Sequence, residues 1–517
     1  MTSNSETMMG TPENTGRHAL VIGGSLAGLF AARVLADFFD SVTIVDRDSF
    51  PPTPEHRKGV PQSFHAHGLL ATAFPILEQL FPGIMNDLRR DGAATASNKV
   101  PLAIVSPQGL LPLPKMPQTL SFSRPLLEWH VRDRVSKRPE VRIIPNTEVT
   151  GLLATQDRMR VTGVQTRERG QEGRTATLHA DLIVDASGRH SEAPRWLVEL
   201  GYEAPPKETI NSNLRYASRF YAKPEHFPAE WQSLIVNGRR PHAYAGIMLS
   251  VDRGRWHVTL GGMDGQSPPT DEEGFLQWAR DLSDPSIYEA IRVSRPLTPI
   301  RGFGTPENHL RHFEHMQRWP AGFIVTGDAV CAFNPIYGQG MTVSALDAMT
   351  LARCLQVQQR SPRADFEQRF RQQLAETVAD AWLLATNQDL RFPGVRLKGA
   401  RPNPGLRLLH RYMDLVLYSA IVDPEIAQAY LNVLMLANPP RSLVQSHMVA
   451  RVLAVACKRT FKRLLGGEEE PGLALSSEAL VALHTQPSIY DAKVSLYTET
   501  NMSHPEFNTR GLSKEGA

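Results

Sequence analysis

Several protein classes are excluded by what this chain lacks. Its 517 residues hold three cysteines, Cys331, Cys354 and Cys457, with no CxxC or CxxxxC pair among them. A disulfide framework, a dithiol redox centre and a cysteine-built zinc site are all disfavoured, and a reducing, cytoplasmic setting is the simple expectation. Nor is there an excess of one charge: 56 Lys and Arg face 53 Asp and Glu, a net of +3. That argues against a polybasic nucleic-acid binder and against an acidic tail protein. Long hydrophobic runs are missing too. The longest, near Leu415–Val422 and Leu431–Ala437, fall short of the roughly 20 residues that a bilayer crossing takes. Residues 1–17 are polar, without the apolar core of a targeting signal, and are expected to lead flexibly into the first strand. No internal repeat or low-complexity tract is visible.

What is there is 41% hydrophobic and 21% charged residues, enough for the cores of about two to four domains. The run HALVIG at His18–Gly23 reads as a buried parallel strand. Gly23-Gly24-Ser25 turns it into a helix, Leu26–Phe39, with apolar residues at helical spacing, and Ser41–Asp46 is a second, β-branched strand ending on an acid. Pro51, Pro52, Pro54 and Pro61 break up the next loop. Helices are expected at Gly68–Leu80 and Arg124–Lys137, the second after a strand-like Leu102–Leu113. Val141–Ile144, Thr147–Leu153, Arg160–Arg167 and Ala176–Ala186 read as successive strands, three of them an antiparallel meander. Asn213–Ala222, Ala243–Val251 and Arg255–Gly261 alternate apolar and polar residues as a half-buried antiparallel sheet does. Gly322–Thr326 is again a short buried strand, a helix follows from about Gly340 to Gln359, and beyond Asp365 the pattern is helical to about Leu483.

The expected fold class is therefore α/β. A Rossmann-type nucleotide domain is made of 18–190 and 300–360, and an antiparallel β-sheet domain, 191–299, is inserted in it, with strand 102–113 as a candidate addition. A helical C-terminal region, 361–485, follows, and 1–17 and 486–517 are expected to be flexible. From Ser442 to Gly466 there are Arg451, Lys458, Arg459, Lys462 and Arg463 and no acid, interleaved with Met448, Val452, Phe461 and Leu464. This is a basic amphipathic helix, expected to pack one face on the body, with membrane-surface contact as the competing reading.

Gly23-Gly24-Ser25-Leu26-Ala27-Gly28 is a dinucleotide fingerprint with one departure. Gly23 makes the tight turn, Gly28 lets the helix lie close on the strand, and Ser25 stands where a second glycine would let backbone approach a pyrophosphate. The free N–H groups and dipole of a helix N-terminus favour that anion. Asp46, at the tip of the second strand, is placed to hold a ribose diol, and Arg47 beside it joins the cofactor-binding candidates. Two later segments point to a flavin. Asp181–Gly188 is a buried strand closing on Asp185-x-x-Gly188. Gly322–Gly340, GFIVTGDAVCAFNPIYGQG, closes a strand on Gly327-Asp328, then passes Pro335 into a Gly338-Gln339-Gly340 turn that opens a helix. A strand-end carboxylate can take ribityl hydroxyls, and a second helix N-terminus can face the flavin edge where negative charge develops on reduction.

Together GGSLAG, DASGRHS and GDAVCAFNPIYGQGM resemble the single-component FAD-dependent monooxygenases of the aromatic-hydroxylase fold. Arg57-Lys58-Gly59-Val60-Pro61-Gln62, His65-Ala66-His67 and Ser123-Arg124-Pro125-Leu126-Leu127 are similar to the polyene epoxidases of bacterial polyether pathways. The resemblance runs through most of 18–460. It implies non-covalent FAD with Asp46 on the adenosine ribose, Arg124 on the FAD chain, Asp328 at the ribityl–phosphate region, Gly340 and Met341 at the isoalloxazine edge, and Arg57 to Gly59 along the flavin. Asp46 departs from the more usual glutamate, which shortens the reach to the ribose. The implied activity takes electrons from NAD(P)H and delivers one oxygen of O2 to a polyketide- or terpenoid-like alkene or electron-rich ring. The family's partners are a small hydrophobic organic substrate and O2, with no nucleic acid.

Absences refine this. No second glycine fingerprint provides a separate NAD(P)H domain, no Trp-x-Trp pair marks a halogenase, and no FxGxxxHxxxW stretch marks a Baeyer–Villiger enzyme. The competitors are a flavin-dependent reductase or dehydrogenase of prenyl or alkene bonds that inserts no oxygen, and a flavin-binding partner protein without turnover. No catalytic base is required; Arg57, Arg219 and Tyr221 are the substrate-side candidates, the last two sharing one face of a middle-domain strand. The pair His65 and His67, with His56, has no Cys, Asp or Glu ligand evident beside it and is read as hydrogen-bonding or plainly structural, so no metal is expected. Cys331 is read as a small buried hydrophobe.

Overall fold

Five short segments align in parallel as the central sheet, in the order Phe323–Val325, Leu182–Asp185, His18–Ile22, Ser41–Val45 and Val141–Ile144. The three inner strands are buried along almost their whole length, as strands covered on both faces must be. Parallel neighbours need a crossover, and the helix Leu26–Leu35 supplies it between His18–Ile22 and Ser41–Val45. That helix, Arg124–Ser136, Gly340–Arg360 and Phe366–Asp389 share one core with the sheet, including Leu20, Leu29, Phe30, Val131, Ile324, Leu351 and Phe370. These positions come from a computed structural model, which describes residues 16–464 apart from 96–99, 112–119, 171–172, 229–230, 239–243, 306 and 401–403.

The expected single strand Ala176–Ala186 is in fact two. Thr175–His179 pairs antiparallel with Val161–Glu168, which pairs with Thr147–Ala154. The chain then leaves that meander at Ala180, and Leu182–Asp185 enters the central sheet. Asp181 pins the change of sheet, its N–H donating to the His18 carbonyl and its Oδ2 accepting from the His18 N–H, both at 2.8 Å.

A seven-stranded sheet runs Arg301–Thr305, Leu214–Ala222, Arg255–Gly262, Tyr244–Val251, Trp231–Val236, Val100–Ser106 and Gly109–Leu110. It is antiparallel except where Val100–Ser106 lies parallel to Trp231–Val236. One face is covered by the helices Glu272–Arg280 and Ser286–Ile291, whose Phe275, Ala279 and Ile287 pack on Ala217, Tyr221, Leu234 and Trp256. The other face carries Tyr216, Phe220 and Leu249. The chain crosses to and from this sheet along Lys207–Asn211 and Asn308–Arg311, which pair antiparallel between Arg396–Lys398 and Cys331–Ala332.

The C-terminal helices Leu406–Ala420, Pro424–Leu434 and Ser446–Leu464 pack on one another and on Ala71, Ile104 and Leu111. Asp423 caps the second of them, its Oδ1 accepting from the N–H groups of Glu425 and Ile426 at 3.0 and 3.1 Å. The basic helix starts at Ser446 rather than Ser442, after a 3₁₀ turn Pro440–Val444. Met448, Val452 and Ala456 form its buried face, while Leu453, Phe461 and Leu464 are exposed. Among the described residues no helix is long and apolar enough to cross a membrane. Of the expected flexible ends, 1–15 and 486–517 lie outside the described residues, as does the helical stretch from 465 to 483, whereas Arg17 is described and its N–H donates to Asp40 Oδ2 at 2.7 Å.

Candidate active site

Close packing fixes the fingerprint turn. Gly23 has φ 102° and its N–H donates to the Val45 carbonyl at 2.8 Å. A Cβ on Gly28 would stand 1.8 Å from the Gly23 carbonyl oxygen, so glycine alone lets the helix begin this near the turn. Asp46 faces the turn from the neighbouring strand end. Its Oδ2 accepts from the Gly24 N–H at 2.6 Å and its Oδ1 from the Asp48 N–H at 2.7 Å. Arg47 is exposed, its carbonyl accepting from Arg169 at 3.3 Å.

Arg57 enters this corner from the proline-broken loop and meets three acids. Nε donates to Glu128 Oε1 at 2.7 Å, Nη1 to Asp48 Oδ2 at 3.0 Å, and Nη1 lies 3.6 Å from Asp46 Oδ1. Nη2 reaches the Gly24 carbonyl at 3.3 Å. Burial works against the Arg57 charge, yet Glu128, Asp46 and Asp48 outweigh it and hold the guanidinium pKa above its ordinary value. Asp48 Oδ2 also accepts from the Gly59 N–H at 2.6 Å, which ties the Arg57–Gly59 segment to the strand end. Arg124 opens the helix Arg124–Ser136 with Pro125 behind it. Its Nη2 donates to Ser25 Oγ at 2.9 Å and lies 3.5 Å from Glu128 Oε2. Burial pushes Glu128 up, but Arg57 and Arg124 prevail and keep its pKa below the usual carboxylate value.

The second and third strand ends behave differently. Asp185 is fully buried and turned into its own loop, Oδ1 accepting from the Ser187 N–H at 2.9 Å and Oδ2 from Ser191 Oγ at 2.6 Å. With Gly188 at φ 86°, the DASGRHS segment is a tight turn whose acid holds the turn itself. Gly327, at φ 64°, brings its loop onto the fingerprint helix, where a Cβ would meet Ala27 Cβ at 2.8 Å. Asp347 supports that loop from beneath, Oδ2 accepting from the Gly327 N–H at 3.1 Å, and burial pushes its pKa up to about 7. Asp328 Oδ1 lies 4.0 Å from where a Gly340 Cβ would stand, at the N-terminus of the helix Gly340–Arg360. Burial raises the Asp328 pKa although Arg189 and Arg124 oppose it. Pro335 starts the turn Pro335–Tyr337, Gly338 is left-handed at φ 65°, and Met341 is buried behind Gly340.

The structure thus gathers Gly23, Ser25, Gly28, Asp46, Arg57, Gly59 and Arg124 at one place, with Gly327 against Ala27 of the fingerprint helix and Asp328 beside Gly340. Arg124 belongs to both groups, touching Ser25 and acting electrostatically on Asp328. Arg47 and the Asp185 carboxylate stand outside.

Arg219 and Tyr221 also stand outside, and strand parity is the reason. Both lie on the helix-covered face of the seven-stranded sheet, where Arg219 pairs with Glu272 at 2.5 Å and Tyr221 is in the core. The opposite face receives the loop that follows Gly59. His65 Nδ1 bonds Ser218 Oγ at 2.8 Å, Ser218 Oγ meets Thr259 Oγ1 at 2.6 Å, and the Ala66 N–H donates to Thr259 Oγ1 at 3.0 Å. His257 Nε2 bonds the Phe64 carbonyl at 3.0 Å and its ring stacks on Phe220 at 3.9 Å. Burial above all holds these imidazoles neutral, His56 and His65 at about 4 and His67 at about 3. On the same face, Ile336 of the Pro335–Tyr337 turn packs on Leu214, Tyr216, Met263 and Phe303. Cys331 is buried, and burial raises its thiol pKa well above the ordinary value.

Glu128 and Asp48 were not visible as site residues from motifs. The available signal was the Arg124–Glu128 spacing of four on a helix that opens with Arg-Pro. Ser218 and Thr259 lie on strands whose inner face the sequence did not identify.

An anion-favouring helix start, a strand-end acid, two inward-held arginines and a second glycine-opened helix start define the site of a dinucleotide-flavin oxidoreductase. The chain belongs to the FAD binding domain family, whose model matches residues 17–365. Its cofactor is FAD, and the residues present fit that group. The buried Nε of Arg124 and Oε1 of buried Gln339 have no partner of their own, and the space beside Gly340 is open except for Asp328.

The chain is 32% identical to Protein Rv3254 of Mycobacterium tuberculosis over 82% of its length and 90% of that protein. It is 27% identical to the squalene epoxidase ERG1 of Candida albicans over 44% of this chain and 43% of that one. Among solved structures, the flavin-dependent brominase Bmp2 matches 86% of this chain and 100% of its own at 14% identity, with a TM-score of 0.62. That similarity is one of fold.

Proposed function

We propose that the protein is a FAD-dependent monooxygenase that takes electrons from NAD(P)H and places one oxygen atom of O2 on a polyketide- or terpenoid-like substrate, by epoxidation or hydroxylation, in cytoplasmic secondary metabolism. The single observation that carries this reading is the sheet face described above. Both loops proposed to border the flavin, 57–67 and 335–340, dock on it, and it presents Tyr216, Phe220, Leu249, Met263 and Phe303 beside histidines held neutral. Such a wall suits an uncharged, largely apolar guest.

Bound FAD supplies electron transfer and oxygen activation. The chain supplies the rest. Gly23, Ser25 and Gly28 present the first helix start to the pyrophosphate, with Arg124 on the FAD chain and Arg57 to Gly59 along the flavin. Asp46 takes the ribose, Asp328 the ribityl end, and Gly340 with Met341 opens the second helix start to the ring. The apolar sheet face positions the acceptor carbon and keeps water from the reacting centre. In this division 18–190 with 300–360 hold FAD and 191–299 hold the substrate. Val100–Ser106 and Arg301–Thr305 share the seven-stranded sheet, which supports counting both strands with the substrate side.

Anaerobic stopped-flow mixing with NADH and with NADPH, followed by air, tests the reading. Bleaching of the flavin and substrate-dependent reoxidation with oxygenated product support it. Bleaching with a saturated, oxygen-free product would make the protein a reductase, and no bleaching with either nucleotide would make it a binding partner without turnover.

A further inference from the structure

Behind the turn Pro335–Tyr337 lies a buried carboxylate that the FAD site as described does not use. Asp389 ends the helix Phe366–Asp389 and is 0% exposed. Its Oδ2 accepts from Asn334 Nδ2 at 2.6 Å and from Asn308 Nδ2, and its Oδ1 accepts from the Tyr337 hydroxyl. Asn334 Nδ2 also reaches Ser212 Oγ at 2.9 Å, and the Asn334 N–H donates to Asn308 Oδ1 at 2.5 Å. Asn308 opens one of the two strands that cross to the seven-stranded sheet, and Ser212 follows the other. Asn334 and Tyr337 bracket the turn that leads through Gly338 into Gly340. One acid therefore ties the flavin-side turn to both crossings.

We propose that Asp389 is a positioning residue for the flavin ring: ionised, it holds the 334–340 turn against the two crossing strands, and protonated, it releases the Tyr337 arm. The proposal rests on the FAD reading of the site. Its reason is donor arithmetic. Asn308 Nδ2, Asn334 Nδ2 and the Tyr337 hydroxyl all donate, so an ionised acid satisfies all three, whereas a protonated one turns its own O–H against a donor. Burial pushes the Asp389 pKa up to about 6, against the opposing pull of Tyr337, Asn308, Ser212 and Asn334. Tyr337 is itself driven well above its ordinary value by burial and by Asp389, and keeps its proton. Neighbouring charges do not intervene. Arg391 is engaged with Asp414 at 2.6 Å, and His309 is kept neutral, its pKa pushed down to about 2 chiefly by burial.

The test uses the FAD-loaded full chain as wild type, Asp389→Asn and Tyr337→Phe. FAD content, thermal unfolding and bound-flavin fluorescence are recorded across about pH 5–8. Wild type is expected to keep its FAD while fluorescence rises as pH falls through about 6. Asp389→Asn, an analogue of the protonated acid, should show the raised fluorescence at every pH with FAD content unchanged, and Tyr337→Phe should follow it. Tyr337→Phe removes one hydroxyl, so it carries the test alone if Asp389→Asn does not fold. A folded variant with wild-type FAD content that traces the wild-type pH profile would overturn the proposal. A wild-type protein that binds no FAD would overturn the reading on which it rests.

Discussion

Replacing Asp46 by alanine separates a structural acid from a cofactor-binding one. The carboxylate accepts two backbone N–H bonds, from Gly24 at 2.6 Å and Asp48 at 2.7 Å, and is 7% exposed. Its removal leaves those amides short of a partner, at about 1–3 kcal/mol each, so the apoprotein should be measurably destabilised. The ribose contact adds a second, separable loss. A hydrogen bond to a charged group contributes about 1.5–3 kcal/mol, hence FAD should bind about 10- to 150-fold more weakly. Titrating deflavinated protein with FAD by fluorescence quenching gives the Kd, and thermal unfolding of the same sample gives the stability. Asp46→Asn keeps one acceptor oxygen and should fall between wild type and alanine in both. An alanine variant that melts early but binds FAD as wild type does would refute the ribose assignment and leave Asp46 as a brace of the turn.

Acid release of the chromophore should yield FAD by mass, since the βαβ unit offers places for both pyrophosphate and adenosine; FMN would contradict this. Asp328→Ala should lower flavin content more than turnover per bound flavin, and full flavin with no turnover would show a role in chemistry instead. Gly340→Val should disturb the flavin spectrum, because the open space beside Gly340 is where backbone is to approach the ring. The buried neutral His65 and His67, at about 4 and about 3, must charge on unfolding in acid. Stability should therefore fall as pH drops below the ordinary imidazole value of about 6.5, and His65→Gln should flatten that slope in urea titrations. The basic helix is expected to leave the protein free of membranes, even though Phe461 and Leu464 are exposed. Salt-sensitive flotation with anionic liposomes, lost on charge reversal of Lys458, Arg459, Lys462 and Arg463, would overturn that.

Much of the nucleotide half was legible because its signals are local. A six-residue glycine turn, a β-branched run and a strand-end acid are contiguous, and each has one physical reading. The substrate half was harder. Alternation showed that Tyr216 and Arg219 point to opposite faces of their strand, but which face meets the flavin loops depends on where 57–67 and 335–340 return in space. Arg219 and Tyr221 lie on the helix-covered face, away from those loops. Asp389, Asn308, Asn334 and Tyr337 come from four segments with no shared motif, and only the fold assembles them. Asp185 shows the opposite difficulty, since a strand-end acid beside glycine reads alike whether it holds a ligand or its own turn.

Oxygen insertion is the central claim, and labelled oxygen tests it most directly. Purified protein with FAD and NAD(P)H would be incubated under ¹⁸O₂ with a panel of polyene and aromatic polyketides and terpenoids, and the products weighed by mass spectrometry. The account predicts a product carrying one ¹⁸O atom, formed in step with NAD(P)H oxidation. A product formed at the same rate without label, or with label arriving only from H₂¹⁸O, would contradict it.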